Sequence, residues 1–155
     1  MSLLKFVLVF FAKLFEDAGY GVKLIGVTRE PVKEVAVKMG IETDKVDRHK
    51  NETKIFEYVE GVEFKFTPKL SDINIDVSRL SLDKIENQLM DFLRFCNDYG
   101  IRIASDFAFF VKENSKVVVF DYDLYKIDGS DKAIKSNSFI ILNRIEVVRS
   151  YLEGL

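Results

Sequence analysis

The chain has 155 residues, and 23 Lys and Arg residues against 25 Asp and Glu residues give a formal net charge of −2. This length supports one domain or two small lobes that share a core, and the near-neutral charge argues against a polybasic nucleic-acid module. One cysteine, Cys96, and one histidine, His49, exclude an internal disulfide framework, a Cys-rich zinc site and a multi-histidine metal centre.

The chain opens with an apolar run, from Ser2 to Leu14. The run is too short for a membrane span, which needs about 18 or more apolar residues. A secretory signal would need a small-residue cleavage site, but Lys13 and then Phe15, Glu16 and Asp17 stand there instead. We therefore expect a buried strand here, in a cytoplasmic protein without a membrane partner.

The next segments predict a short antiparallel meander followed by a helix. Residues 19–27, GYGVKLIGV, have the pattern of a turn that enters a strand. Residues 34–39, EVAVKM, alternate β-branched positions and predict another strand, which ends at Gly40. Thr43 is a suitable N-cap, so we expect a helix over about residues 44–58 that stops near Gly61.

The second half of the chain contains clearer patterns. Residues 62–70 and 73–80 predict a hairpin with its turn at Ser71–Asp72. Helical spacing of apolar residues predicts a helix over about 82–98, with Cys96 at its core or boundary. FAFFV and KVVVF predict a second hairpin over 107–120, and a polar loop then leads to a C-terminal helix over about 138–152.

An ordered set of residues runs through these elements. Lys38 closes the VAVK strand, Glu52 lies in KNE on the following helix, and the second hairpin leads directly into Asp121, Tyr122 and Asp123. This order resembles the protein-kinase family, including its small atypical members. The resemblance implies a two-lobed α+β fold, with residues 1–79 as an N-lobe of antiparallel sheet and one helix. Residues 80–155 would form a reduced helical C-lobe, and ATP with Mg²⁺ would bind between the lobes.

The resemblance also assigns residues to the nucleotide. Lys38 takes the place of the lysine that contacts ATP phosphates, and Glu52 that of the glutamate that orients this lysine. LFEDAGYGVKL looks like a degraded glycine-rich loop. Gly21 and Val22 match the last residues of that loop. Phe15 and Asp17 stand at the places of the first glycines.

The same resemblance also assigns the metal-binding and catalytic positions. Asp121 takes the place of the metal-binding aspartate, and Asp123, where the family usually has glycine, is a second candidate ligand. The catalytic loop is about two residues short, and Ala108 falls where the family has a metal-binding Asn. Asp106 is the available carboxylate for a catalytic base.

These departures leave several functions open. The resemblance implies a minimal kinase with slow phosphoryl transfer, or a nucleotide-binding pseudokinase. A non-catalytic interaction protein on the same scaffold, with a protein partner, is an alternative. A Mg²⁺-dependent PD-(D/E)xK nuclease is another, since Asp106 and Asp121 have suitable spacing, although Asp123 occupies the lysine position. Residues 71–76, SDINID, resemble the carboxylate strand of nucleotidyltransferases but lack the preceding Gly-Ser turn.

Overall fold

The structure, a computed structural model, describes residues 3–28, 38, 40, 53–69, 75–122 and 124–154. The chain divides into two compact units, one formed by Met1–Val22 with Val59–Leu155 and the other by Lys23–Tyr58. The fold is α+β. The described part of the chain contains three α-helices: α1 (Leu3–Asp17), α2 (Leu82–Asp98) and α3 (Asp131–Glu153).

The strands of this part of the chain are short and pair in antiparallel fashion. They are β1 (Leu24–Thr28), β2 (Thr53–Phe56), β3 (Val62–Phe64), β4 (Pro68–Lys69), β5 (Ile101–Arg102), β6 (Ala108–Val111), β7 (Val117–Phe120) and β8 (Lys126–Ile127). The larger unit contains a sheet of order β4-β3-β6-β7 and the β5–β8 pair, and the smaller unit contains the β1–β2 pair.

The N-terminal segment is a helix, so the strand predicted there is wrong. Phe11 and Ala12 are adjacent and both fully buried, and Phe15 is buried one turn later. A helix places such residues on one face, whereas a half-buried strand would send neighbours to opposite sides. The exposed side of α1 carries Lys13, which forms an ion pair with Glu16 at 3.2 Å.

The smaller unit confirms one predicted strand and corrects part of a predicted helix. β1 follows the glycines as expected and pairs with β2, with Thr28 opposite Thr53. The helix predicted over residues 44–58 is wrong in its last part, because residues 53–56 form β2. Its sequence TKIF alternates Thr53 and Ile55 with Lys54 and Phe56, which suits a strand. Residues 44–52 lie outside the described part of the chain.

The predicted strand over residues 34–39 is described at a single residue. Lys38 has a helical backbone and an exposed side chain, so its expected position at the end of a strand is wrong. Lysine favours helices more than strands, and the alternation of the neighbouring valines did not decide its backbone.

The central sheet confirms the second predicted hairpin and changes the first. β6 pairs with β7 from Ala108 opposite Phe120 to Val111 opposite Val117. β3 and β4 also form a hairpin, with its turn at residues 65–67, and the turn predicted at Ser71–Asp72 lies outside the described residues. Pro68 has no N–H to donate, which suits its place as the first residue of an edge strand.

Residues 77–79, expected in the second strand of that first hairpin, form a short 3₁₀ helix instead. Asp76 caps this helix by accepting a hydrogen bond from the Ser78 backbone N–H at 3.1 Å. Aspartate at this position competes with strand pairing because its side chain bonds to the backbone two residues on. Residues 70–74 lie outside the described ranges.

The two long helices of the second half pack against each other. α2 begins after its N-cap Ser81 and ends at Tyr99, as predicted. α3 begins at Asp131, seven residues before the predicted start, with Ser130 as N-cap. The polar segment was interpreted as a loop, but Ala133 and Asn137 within it are the buried residues of the first two turns. Because Asn137 is polar although it is buried, the sequence does not show the apolar spacing that would have predicted a helix here.

The core of the larger unit is aromatic. Phe15 of α1 lies against Phe92 of α2, with ring centroids 5.4 Å apart, and against Tyr122 at 5.3 Å and Tyr125 at 5.7 Å. These rings are nearly or fully excluded from solvent. They join α1, α2 and the chain after β7 into one interior.

The predicted lobe boundary between residues 79 and 80 does not coincide with the division into units. β3 pairs with β6, so residues on both sides of that boundary belong to one sheet. Over the residues that the structure describes, no helix has the length and apolar character needed to cross a membrane.

Candidate functional site

The candidate site surrounds the segment 103–107, which joins β5 to β6 and coincides with the predicted catalytic stretch. Two side chains of α3 hold its backbone. Asn137, which is 1% exposed, accepts a hydrogen bond from the Ile103 backbone N–H at 2.8 Å. Its amide group donates to the Ile101 carbonyl oxygen and to the Asn97 side chain, both at 2.9 Å. The side chain of buried Asn137 therefore satisfies backbone hydrogen-bonding groups at the start of the segment.

Arg144 holds the other end of the segment. It lies two helical turns after Asn137 on the same face of α3 and is 2% exposed. Its Nε donates to the Phe107 carbonyl oxygen at 2.9 Å, and its Nη2 donates to the Ser105 carbonyl oxygen at 2.8 Å. The Phe66 ring lies over the guanidinium, with the centroid 4.6 Å from Cζ. Arg144 thus fixes the carbonyls on both sides of Asp106.

The electrostatics of this region centre on a buried tyrosine. Burial raises the pKa of Tyr125 well above its ordinary value, and the negative charges of Asp106 and Asp121 raise it further. Burial also lowers the pKa of Arg144, an effect opposed by Tyr125 and Asp106. Tyr125 therefore interacts electrostatically with Cys96, Asp106, Asp121 and Arg144, and we call these side chains the Tyr125 cluster.

Two oxygen atoms in this cluster lack a hydrogen-bond partner within the described ranges. They are Oδ1 of Asp106 and the hydroxyl of Tyr125, and both are inaccessible to solvent. Buried polar atoms are almost always hydrogen-bonded, so each of these two atoms requires an explanation. Asp106 itself is half-buried.

Asp121 has a special backbone at the end of the hairpin. It follows the apolar strand β7 directly, its φ is +55°, and it is exposed. A positive φ is uncommon for a residue with a side chain, although aspartate tolerates it better than most. This conformation turns the chain sharply between buried Val119 and buried Tyr122 and leaves the carboxylate at the surface.

The predicted nucleotide-binding residues are separated by the division into units. Gly21 and Val22 belong to the larger unit, and Lys38 belongs to the smaller one. Glu52 and Asp123 lie outside the described part of the chain. Of the predicted set, Asp106 and Asp121 are brought near one residue, Tyr125. The roles assigned to all of these residues stay predictions.

Gly21 has a packing reason for being glycine. A Cβ at this position would lie 2.9 Å from the Glu16 backbone nitrogen and 3.0 Å from the Phe15 carbonyl carbon. The chain passes this close to the end of α1 because Gly21 forms a bridge with Val119, whose N–H donates to the Tyr20 carbonyl oxygen at 2.7 Å. Phe15 and Asp17, which stand at the first glycine places, lie in α1.

The donor set fits a hard cation in part. Mg²⁺ is commonly held by one or two carboxylates, with water and phosphate oxygens as its other ligands. Asp121 offers an exposed carboxylate, whereas the Asp106 oxygen that has no protein partner among the described residues, Oδ1, is inaccessible to solvent. No group of three or more His, Cys, Asp or Glu side chains placed for a metal occurs in the described ranges. A cation here would rely on water or a ligand for its remaining coordination.

Sequence reasoning named the two aspartates but missed Tyr125, Asn137 and Arg144. Asn137 and Arg144 are seven residues apart on an otherwise apolar helical face, and this spacing was the available signal. Comparisons of the chain with protein-family models, with curated proteins and with solved structures find no match.

Proposed function

We propose that the protein binds a nucleotide together with Mg²⁺, as a reduced kinase-like protein in which phosphoryl transfer is slow or absent. The observation that carries the proposal is the backbone of Asp121, an exposed aspartate with φ +55° directly after a buried strand. A positive φ is uncommon for a residue other than glycine, and such residues are enriched at functional sites. The resemblance assigns the metal to this same residue.

The surroundings of Asp121 support the proposal. Asp106 and Asp121 both act on the pKa of Tyr125, so two carboxylates lie near one residue. In the proposed complex Mg²⁺ supplies positive charge to the nucleotide phosphates, and Asp121 holds Mg²⁺ with Asp106 as its second carboxylate.

Other features favour binding over fast catalysis. The glycine-rich loop of the family cradles the phosphates with its backbone, but Phe15 and Asp17 lie in a helix. Arg144 holds the carbonyls beside Asp106, which restricts the movement of this candidate base. Lys38, in the other unit, is a separate prediction for phosphate contact.

Thermal unfolding with ATP and Mg²⁺ tests the proposal. A ligand at 100 times its Kd stabilises a protein by about 2.7 kcal/mol, which corresponds to roughly 5–10 °C in Tm for a domain of this size. We expect this rise for the wild type and for the control Asp98→Asn, which removes an exposed carboxylate at the end of α2. Asp121→Asn should lose most of the rise.

No rise in the wild type, or an equal rise in Asp121→Asn, would contradict the proposal. Lys38→Ala, measured beside them, tests that residue separately. The nuclease alternative uses the same two aspartates and is distinguished by its product. It requires plasmid cleavage that depends on Mg²⁺, Asp106 and Asp121 and does not require ATP to raise Tm.

A further inference from the structure

The outward face of α3 carries an apolar pair that nothing in the described structure covers. Phe139 and Leu142, one turn apart, are 76% and 55% exposed. The opposite face of the helix already contributes Ile141, Ile145 and Val148 to the core. α3 therefore has a second apolar surface, and exposure of large side chains together on one helix face is typical of an interaction site.

Two opposite charges flank this pair symmetrically. Lys135 lies four residues before Phe139, and Glu146 lies four residues after Leu142. The spacing of four, three and four residues places all of them along one seam of the helix, as in a heptad pattern. Both charged side chains are exposed. Glu146 forms an ion pair with Arg149 of its own helix at 3.0 Å, and its other carboxylate oxygen accepts from the Ser150 hydroxyl at 3.5 Å, so a second copy would have to share this carboxylate.

We propose that this seam, defined as Lys135, Phe139, Leu142 and Glu146, is covered by the same seam of a second copy of the chain, with the two α3 helices antiparallel. A two-fold axis midway between Ile140 and Ile141 places Phe139 of one copy opposite Leu142 of the other. The same axis places Lys135 opposite Glu146 of the second copy, once on each side of the apolar centre. The contact is isologous, as in most homodimers.

The charge pattern favours a second copy of the chain as the partner and an antiparallel orientation of the two helices. A parallel pair would place Lys135 against Lys135 and Glu146 against Glu146, and like charges in contact are unfavourable. An anionic membrane surface would attract Lys135 but repel Glu146. Of these three arrangements, the antiparallel copy is the one that satisfies both charges and both apolar side chains at once.

The size of the seam predicts a weak dimer. Each copy contributes two large apolar side chains over three helical turns, which is below the size of standard stable interfaces, about 1,200–2,000 Å² of buried surface. We expect a dissociation constant on the order of 100 µM, in the range of transient contacts. The dimer would therefore form at high local concentration and dissociate on dilution.

Charge reversal tests the seam by sedimentation equilibrium over concentrations that span this dissociation constant. Lys135→Glu or Glu146→Lys alone should weaken the dimer by at least about tenfold, because each change creates two like-charge contacts by symmetry. The double variant, Lys135→Glu with Glu146→Lys, restores both opposite-charge contacts and should return dimerisation to the wild-type level. A change in folding would not show this rescue.

The control variant is Ile127→Ser, which removes another exposed apolar side chain, 65% exposed, from β8 of the same unit. It should dimerise as the wild type does, and Phe139→Ser should be monomeric. A wild type that stays monomeric at every concentration overturns the proposal. Dimerisation that survives a single reversal, fails to return in the double variant, or is lost in Ile127→Ser overturns it equally.

Discussion

Arg144 shows how a single buried residue defines the candidate site. Its guanidinium donates to two backbone carbonyls and lies against the Phe66 ring. Removing a charge from water is costly, and multiple hydrogen bonds with an aromatic face offset part of that cost. The conformation of residues 105–107 is therefore set by a side chain from α3 and not by local turn residues alone.

Replacement of Arg144 should be strongly destabilising. Arg144→Met keeps the apolar stem but leaves the carbonyls of Ser105 and Phe107 without their donor, which should lower the free energy of unfolding by about 2–4 kcal/mol. The control is Arg149→Met. Arg149 pairs with Glu86 at 2.6 Å and with Glu146 near the surface, so its loss should cost about 1 kcal/mol or less. Urea unfolding of both variants measures the difference, and equal losses would contradict this role.

Tyr125 should give the protein a specific sensitivity to alkali. Burial raises the pKa of its hydroxyl above the ordinary 10.0. Because the folded-state pKa is the higher one, the stability linked to this group is fully present below about pH 10 and is lost as the pH rises toward the folded-state pKa. Within that window the loss approaches about 1.4 kcal/mol per pH unit.

Tyr125→Phe removes this loss. At neutral pH the variant should be about as stable as the wild type, because the hydroxyl has no hydrogen-bond partner within the described chain. Above pH 10 the variant should become the more stable of the two, and the difference should grow with pH. Urea unfolding at several pH values measures it. If the free energy of unfolding changed with pH in the same way for both proteins, the hydroxyl would not be buried as described.

At the scale of elements, the approach of the chain to the end of α1 gives a further prediction. Gly21→Ala places a Cβ within 2.9 Å of the Glu16 backbone nitrogen, so we expect a loss of about 1–3 kcal/mol in the free energy of unfolding. Gly129→Ala is the matched control, since its Cβ would meet Gly100 at 3.4 Å, an ordinary contact. A Gly21→Ala protein as stable as Gly129→Ala would contradict the close packing.

The elements that could be predicted from the sequence are those with an unambiguous period. α2 has a serine N-cap, a regular apolar face and a terminating glycine, and Gly100 indeed adopts a φ of +66°. The β6–β7 hairpin has two apolar runs around a polar loop. α1 was mistaken for a strand because a short continuous apolar run suits both structures. α3 was shortened because Asn137 is buried for its hydrogen bonds, which hydropathy does not register.

At the scale of the whole molecule, long-range contacts decided what the sequence could not. The hydrogen bond from Arg144 to Phe107 spans 37 residues, and that from Ile103 to Asn137 spans 34. No local pattern encodes such pairs. Asp106 and Asp121 were predicted from the order of the motifs, and their roles stay predictions, whereas the positions of Asn137 and Arg144 depend on how α3 packs.

Long-range contacts also decide which segments belong to one unit. Residues 62–64 and 108–111 share one sheet, so the proposed boundary between lobes at residue 79 cut through a structure that tertiary pairing holds together. Strand pairing at this separation depends on register and packing, which single-sequence periodicity does not specify.

The central proposal is that Asp121, together with Asp106, binds a nucleotide-bound divalent cation. The most direct test replaces Mg²⁺ with paramagnetic Mn²⁺ and follows line broadening of the backbone amide signals in the presence of ATP. The account predicts that the signals of Asp121, Tyr122 and Asp106 broaden first, and that Asp121→Asn abolishes the effect. Broadening that is absent from these residues, or unchanged in Asp121→Asn, would contradict it.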